Sequence, residues 1–580
     1  MKKIIKKIKD KIFQAFRGVA DNFFVFHKEA GFAKRATIWL LLCFFVLNFF
    51  TVFWGMPNAF SWSVDDPSGI FSIAFIKAEG SNYAPFGYIA RLVSYLPFLG
   101  TYYIFGGWDL GAIKYPTFGF SNPDWQLGAL LVSTRIFHFL MYIATVYFVY
   151  KITSFFNKKA AFWAALFYGF CPLVVEFSTY GNVDTPTMFF LAWGLYHLSS
   201  LFFFKGDENV ARGFHWFGFF ASLALVMGMK ESVALSLVFP FLIVFVKSGY
   251  FSRQGIRRFF SEFLPGVLLF LIIIIVSNNL IFDFKRYYLH VARLVSHDSA
   301  TNATYPMFPP VELAKRILES VLLVAPLSFV LFFLGWKNFF VKKYRFYSWF
   351  LLSLPISSFL LFACSFGRTY LRHNLPTILI FSVLSGLVFW QLTSKMKSGR
   401  RLIQFLVVVV LFSLALIPVR GKFTDSRYEA EKFISSIVKN KDVQVLSNRY
   451  HVYLPRLERM ARSDDWQAKS IIFNSKINRT PNKDLYIVEY DKFDFYREAF
   501  KDYGVIYDSG PRYPYYHALD VRLSPCRISC RVLVLEKKSL GGVKGIRIEE
   551  DIKSYYDEEL KKPDIYYNEN DKQEDSDSDQ

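Results

Sequence analysis

The chain has 580 residues, of which 53% are hydrophobic and 20% aromatic, and its formal net charge is +21. A mean hydropathy of +0.26 is high for a chain whose residues 421–580 are polar, so the apolar content is concentrated before residue 421. This excludes an ordinary soluble domain, and the scatter of basic residues in short clusters between apolar runs excludes a nucleic-acid partner.

Residues 1–36 form a lysine-rich leader in which Ile5, Ile8, Ile12, Phe16, Val19 and Phe23 recur at three- and four-residue steps. That spacing predicts an amphipathic helix lying on an anionic inner leaflet, and the leader lacks the form of a cleaved signal peptide. Apolar runs follow at 37–54, 129–150, 160–175, 186–204, 214–229, 231–247, 264–281, 318–335, 347–365, 374–392 and 402–419. Each has about 16 to 22 residues with few charges, long enough to cross a bilayer.

The connectors alternate in character. One set carries Lys151, Lys158 and Lys159; Lys205 and Arg212; Lys247, Arg253, Arg257 and Arg258; Lys337, Lys342, Lys343 and Arg345; and Lys395, Lys397, Arg400 and Arg401. The positive-inside bias places this set and the N-terminus in the cytoplasm. With about eleven transmembrane helices, the C-terminal domain is then extracytoplasmic. The expected fold class is a polytopic α-helical membrane protein of the cell (plasma or inner) membrane, carrying a small α/β domain outside.

Four regions are expected: the leader 1–36, a transmembrane domain 37–420, an extracytoplasmic domain 421–550 and a charged, unfolded tail 551–580. Two outer loops are long, 55–128 and 282–317; within the first, 88–105 is apolar enough to lie at the interface or to span. The external domain reads as strands near Val443–Leu446, Leu485–Val488 and Cys530–Leu535 and helices near Glu429–Val438 and Asp494–Tyr503. Of five cysteines, Cys43, Cys171 and Cys364 belong to apolar surroundings, whereas Cys526 and Cys530 could pair in an oxidising compartment.

The side chains suited to chemistry lie in the outward connectors. Asp65-Asp66-Pro67 follows the first run; such a pair suits a helix start, with Asp66 as cap. Adjacent acids at a membrane face in an aromatic loop are also costly without a function, and they suit a general base or a divalent cation. A second turn, Glu176-Phe-Ser-Thr-Tyr-Gly-Asn-Val-Asp184, joins two runs, and Asp184 there reads equally as a helix cap. Lys230 falls between two runs with almost no loop, Arg135 lies inside the second run, and Arg368, Arg372 and His373 precede Leu-Pro376. Cations at helix ends commonly snorkel to headgroups, but a converging set would bind a phosphate.

Taken in order, these motifs resemble the GT-C superfamily of membrane glycosyltransferases, in particular the branch of protein O-mannosyltransferases and lipid A aminoarabinose transferases. The resemblance runs over residues 40–430: Asp65-Asp66 in the first outer loop, Tyr83-Ala-Pro85-Phe-Gly-Tyr88, Thr134-Arg135, Cys171-Pro172 followed by Asp184, Lys230, Arg372-His373-Asn-Leu-Pro376, and Asp425-Ser-Arg427-Tyr-Glu-Ala430. Ala84 departs from the usual Lys or Pro, and Asp66 stands where many members have Glu.

What the resemblance implies is an inverting transfer from a polyprenyl- or dolichyl-phosphate sugar to a hydroxyl of a glycan, lipid or protein. Asp65 would be the base and Asp66 would orient it. Asp184 and Glu176 would position the acceptor or a cation. Lys230, Arg135, Arg368, Arg372 and His373 would bind the donor phosphate. A divalent cation, Mg or Mn, is a possible cofactor, with Asp65, Asp66 and Asp184 as its ligands. Two other classes fit the same hydropathy: a secondary transporter or lipid-sugar flippase, and a non-catalytic assembly subunit. The acids at span ends and the lack of an internal repeat weigh against a transporter.

Overall fold

The computed structural model describes residues 32–53, 88–94, 123–204, 209–250, 253–278, 308–339, 345–364, 371–396, 398–423, 427–438, 441–446, 470–474, 483–489, 500–508 and 532–538, with a few isolated positions between them. Among the described residues, every apolar run of the sequence is mainly helical. In chain order the helices are Phe32–Phe50, Pro123–Ser154, Lys158–Gly169 with Pro172–Phe177, Asp184–Phe203, Asn209–Met229, Glu231–Ala234 continued to Val238–Lys247, Arg253–Arg258 continued to Leu264–Ser277, Pro310–Val324 with Pro326–Phe339, Arg345–Ser357, Leu375–Ser394 and Arg400–Phe423. Helices satisfy every backbone group internally, which lipid demands. Among the described residues, five helices are long and apolar enough to cross a membrane: Leu131–Ser154, Gly255–Ser277, Arg345–Ala363, Arg372–Ser394 and Arg400–Phe423.

Two of the predicted runs are broken rather than continuous. The run at 318–335 divides into Pro310–Val324 and Pro326–Lys337, which meet at 116°. Ala325 leaves helical geometry at φ −138° and ψ 53°, as expected of a residue whose successor is proline. The run at 160–175 stops at Gly169 and restarts at Pro172, with Cys171 extended at ψ 122°. In the long outer loop a short helix, Tyr88–Ser94, is seated against the bundle, and the second long helix already starts at Pro123, inside the stretch expected to be loop.

Leu375–Ser394 is the centre of the bundle: its span is 83% buried, against 22% for Gly255–Ser277 and 28% for Arg400–Phe423, whose outer faces meet lipid. Lipid tails give apolar helices no hydrophobic reason to associate, so close backbone approach at small residues carries much of the packing. At Gly386 a Cβ would lie 2.3 Å from the backbone nitrogen of Ala164, so the central helix needs glycine there.

Side-chain bonds sort the helix ends onto two faces. On one, Asn48 bonds Ser178, and Lys422 bonds Thr179, joining the ends of the first and last long helices to the 176–184 turn. On the other, Tyr347 donates to the carbonyl of Ile152 at 3.0 Å, Lys247 donates to the carbonyl of Phe202, and Arg212 meets Glu262 at 3.8 Å. Lys247 and Arg212, from two of the basic connectors, lie on this second face.

Beyond the bundle, helix Arg427–Ile437 leads into a five-stranded sheet of order β2-β1-β3-β5-β4. The strands are β1 Asp442–Leu446, β2 Ser470–Asn474, β3 Leu485–Glu489, β4 Tyr503–Asp508 and β5 Val532–Lys537. β1 pairs in parallel with β2 and β3, and β5 is antiparallel to β3 and β4. Leu485 and Ile487 face one apolar cluster with Ala430 and Ile434, while Tyr486 and Val488 face another with Phe500 and Tyr503, as period-two alternation requires. Three strands match those expected; β2 and β4 were not foreseen, and Tyr503, expected at the end of a helix, begins β4. Cys526, Cys530 and the tail 551–580 lie outside the described residues.

Candidate active site

The site is built on the 176–184 turn, and Asp184 is its focus. The carboxylate is 2% exposed, on the first residue of helix Asp184–Phe203. It does not cap that helix as the sequence suggested: the cap position is Val183, with no side-chain cap bond. Instead Oδ1 accepts from Lys230 Nζ at 2.7 Å, and Oδ2 accepts from Asn182 Nδ2 at 3.0 Å and faces Arg372 Nη1 at 4.0 Å.

Each partner arrives through a break in helical structure. Lys230 is extended, at φ −160° and ψ 96°, between helices ending at Met229 and starting at Glu231. The break turns its side chain back to the start of helix Asp184–Phe203 rather than outward to headgroups. Arg372 lies in the 3₁₀ turn Leu371–Asn374, which the Pro376-led start of the central helix follows. It keeps 30% of its side-chain surface exposed, and Lys230 15%. Two cations thus converge on one buried carboxylate, each with part of its side chain still exposed. Removing a carboxylate from water costs several kcal/mol unless opposite charge and hydrogen bonds compensate, and this one has both.

A second layer fixes the turn. Arg135, expected to bind donor phosphate, is completely buried and donates to the carbonyl of Val52 at 2.9 Å. Its burial makes it a fastening between the first and second long helices rather than a group open to a lipid phosphate. Glu176 accepts from the Tyr180 hydroxyl at 3.3 Å, inside the turn. His373 sets its ring edge-on against Phe362, with centroids 4.9 Å apart. Asp65, Asp66 and Arg368 lie outside the described residues.

Four residues of this layer went unrecognised in the sequence. His138, fully buried, faces the carbonyl of Tyr180 through Nδ1 at 2.8 Å and that of Ser94 through Nε2 at 3.2 Å, tying helix Tyr88–Ser94 to the turn. Asn48 donates to Ser178 at 3.0 Å, and Thr51 meets Thr179 at 2.8 Å. Lys422 donates to the Glu176 carbonyl and to Thr179, each at 2.7 Å. A signal existed: Asn48 and His138 are polar groups within apolar runs, which are costly without partners, and His138 follows Arg135 by one helical turn.

Among the described residues no three His, Cys, Asp or Glu side chains gather. Of the proposed metal ligands only Asp184 is described, and its oxygens are turned to an ammonium, an amide and a guanidinium.

The fold and site define a multi-pass helical membrane protein with a carboxylate–cation cluster at one face and a small α/β domain following the last long helix. Residues 126–282 match the family described as "Dolichyl-phosphate-mannose-protein mannosyltransferase", which bears out the resemblance to GT-C membrane glycosyltransferases seen in the motifs. The matched stretch contains Arg135, Glu176, Asp184 and Lys230. No curated protein sequence matches the chain. Similar solved structures include ArnT from Cupriavidus metallidurans bound to undecaprenyl phosphate, with 12% identity and a TM-score of 0.41. The same protein in its apo state has 11% identity and a TM-score of 0.43. Each comparison covers 88% of this chain and 100% of that one.

Proposed function

We propose that this protein transfers a sugar from a polyprenyl- or dolichyl-phosphate carrier to an acceptor hydroxyl, with inversion at the anomeric carbon. The observation that carries the reading is Asp184 held between Lys230 and Arg372, three charged groups from separate parts of the chain meeting at one face of an apolar bundle. Partly exposed cations suit a phosphate at the membrane border, and a lipid-linked donor reaches such a place laterally while its acceptor arrives from water. The positive-inside bias of the basic connectors in the sequence supports an extracytoplasmic site, with the N-terminus inside and the sheet domain outside.

In the reaction, Asp65 takes the proton of the acceptor hydroxyl as its oxygen bonds to the anomeric carbon, with Asp66 orienting it. The bond from that carbon to the phosphate oxygen breaks, and the electron pair leaves on the lipid phosphate. Lys230 and Arg372 stabilise the charge growing on the leaving group, and Asp184 holds them in register. Arg368 and His373 stand near Arg372 in the chain and complete the phosphate end. The base contributes roughly 10²–10⁴-fold. A glycan, a lipid or a protein serves as acceptor.

Purified protein is incubated with radiolabelled polyprenyl-phosphate sugar and an envelope extract as acceptor. Lipid phosphate should accumulate, and Asp65→Asn should abolish it. Movement of the intact lipid-sugar between leaflets with no phosphate released would mark a flippase and end the enzymatic reading.

A further inference from the structure

We infer that Lys422 is a positioning residue of this site, acting through the 176–184 turn; the inference deepens the transferase reading and rests on it. Lys422 lies in the last turn of helix Arg400–Phe423, where a lysine would ordinarily snorkel outward along its alkyl stem to the headgroups. Here it turns inward and is only 2% exposed.

An ammonium has three N–H donors, and the turn supplies matching acceptors. The Glu176 carbonyl and the Thr179 hydroxyl each lie 2.7 Å from Nζ, and the face of the Tyr180 ring lies 4.4 Å away. These three acceptors are separate points along one turn, so the cation fixes the turn's shape rather than one rotamer. Burying a charge this deeply is costly unless such bonds are all made, so the turn and the lysine specify each other.

The same turn is clamped from elsewhere. Thr179 also meets Thr51, and the Tyr180 carbonyl meets His138. Two residues beyond Tyr180, Asn182 bonds the Asp184 carboxylate and also accepts from its backbone N–H at 3.2 Å. A displacement of the turn therefore reaches the carboxylate that aligns Lys230 and Arg372. Lys422 itself donates to the turn and acts on the reacting groups through it. Helix Arg427–Ile437 of the sheet domain begins only a few residues later in the chain.

The test compares Lys422→Met, Lys422→Arg, Thr179→Val, the Lys422→Met/Thr179→Val pair and, as control, the exposed Arg420→Met. Two readouts are taken: steady-state transfer from labelled polyprenyl-phosphate sugar, and hydrogen–deuterium exchange over 176–185. Lys422→Met should lower kcat about tenfold or more, since small misplacements of reacting groups are this costly, while the donor KM moves less than about threefold. Lys422→Arg should recover part of kcat, and the pair should be no worse than Lys422→Met alone, because both changes break one link. Exchange over 176–185 should rise in Lys422→Met and stay unchanged in Arg420→Met.

Full kcat in folded Lys422→Met, or independent losses in the pair, would overturn the inference. If Lys422→Met does not accumulate, Thr179→Val decides: a lowered kcat supports the link and an unchanged one defeats it. Raised exchange with no turnover by wild type from any donor would leave the link standing and remove the transferase reading instead.

Discussion

The two faces of the bundle use the same residue types in opposite ways. On the basic-connector face, cations lie against aromatic rings at the border: Lys247 Nζ is 3.7 Å from the Phe202 centroid, and Arg400 4.5 Å from that of Trp390. This is how long basic side chains anchor a membrane protein, with stems in lipid and heads near water. On the other face, Lys230 and Lys422 turn inward, one onto a carboxylate and the other onto a folded turn. Anchoring tolerates a loose geometry, whereas inward cations on a buried framework hold one arrangement. Position along a helix thus does not separate the two uses, but the direction of the side chain does.

The sharpest way to break the contrast is to remove an inward cation. Lys230→Met leaves Asp184 buried with less compensation, at a cost approaching about 3–5 kcal/mol, because a lone buried charge is expensive. Thermal unfolding in detergent measures the loss, and transfer should fall with it; Lys230→Arg should retain more of both. Arg372→Ala, at a longer and more exposed contact, should leave the fold intact. Its donor KM should rise by about ten- to a hundredfold, the worth of a charge-assisted contact to phosphate. Competition by free polyprenyl phosphate measures this. At the small end, Lys247→Met on the anchoring face should shift stability by less than about 1 kcal/mol and leave turnover unchanged. A large turnover loss there would erase the distinction between the faces.

Much of the membrane architecture was legible because hydropathy and helix content answer to the same constraint. A run long enough to cross lipid has no alternative to the helix, so among the described residues the apolar runs between 37 and 419 are mainly helical. The breaks were less legible. Pro326 and Pro172 ended helices, whereas Pro355 and Pro418 lie inside them, and the local sequence does not distinguish these cases.

In the site, the order of motifs brought Asp184, Lys230 and Arg372 to notice, and they do meet. Arg135 shared their chemistry but serves the framework. Lys422 was passed over because a lysine ending a span has a commoner use, and nothing nearby in sequence reveals acceptors some 240 residues earlier, at separations of 246 and 243. In the sheet domain, β2 and β4 owe their state to pairing with strands distant in sequence, which local propensity does not carry.

The reacting role of the carboxylate–cation cluster is tested most directly by Asp184→Asn beside Glu262→Gln, a matched change to a buried carboxylate on the opposite face. Both variants and wild type are given labelled polyprenyl-phosphate sugar, and lipid phosphate released per folded molecule is counted. A fall of roughly a hundredfold or more in Asp184→Asn, with Glu262→Gln near wild type, is the expected result. Equal turnover in Asp184→Asn and wild type would contradict it.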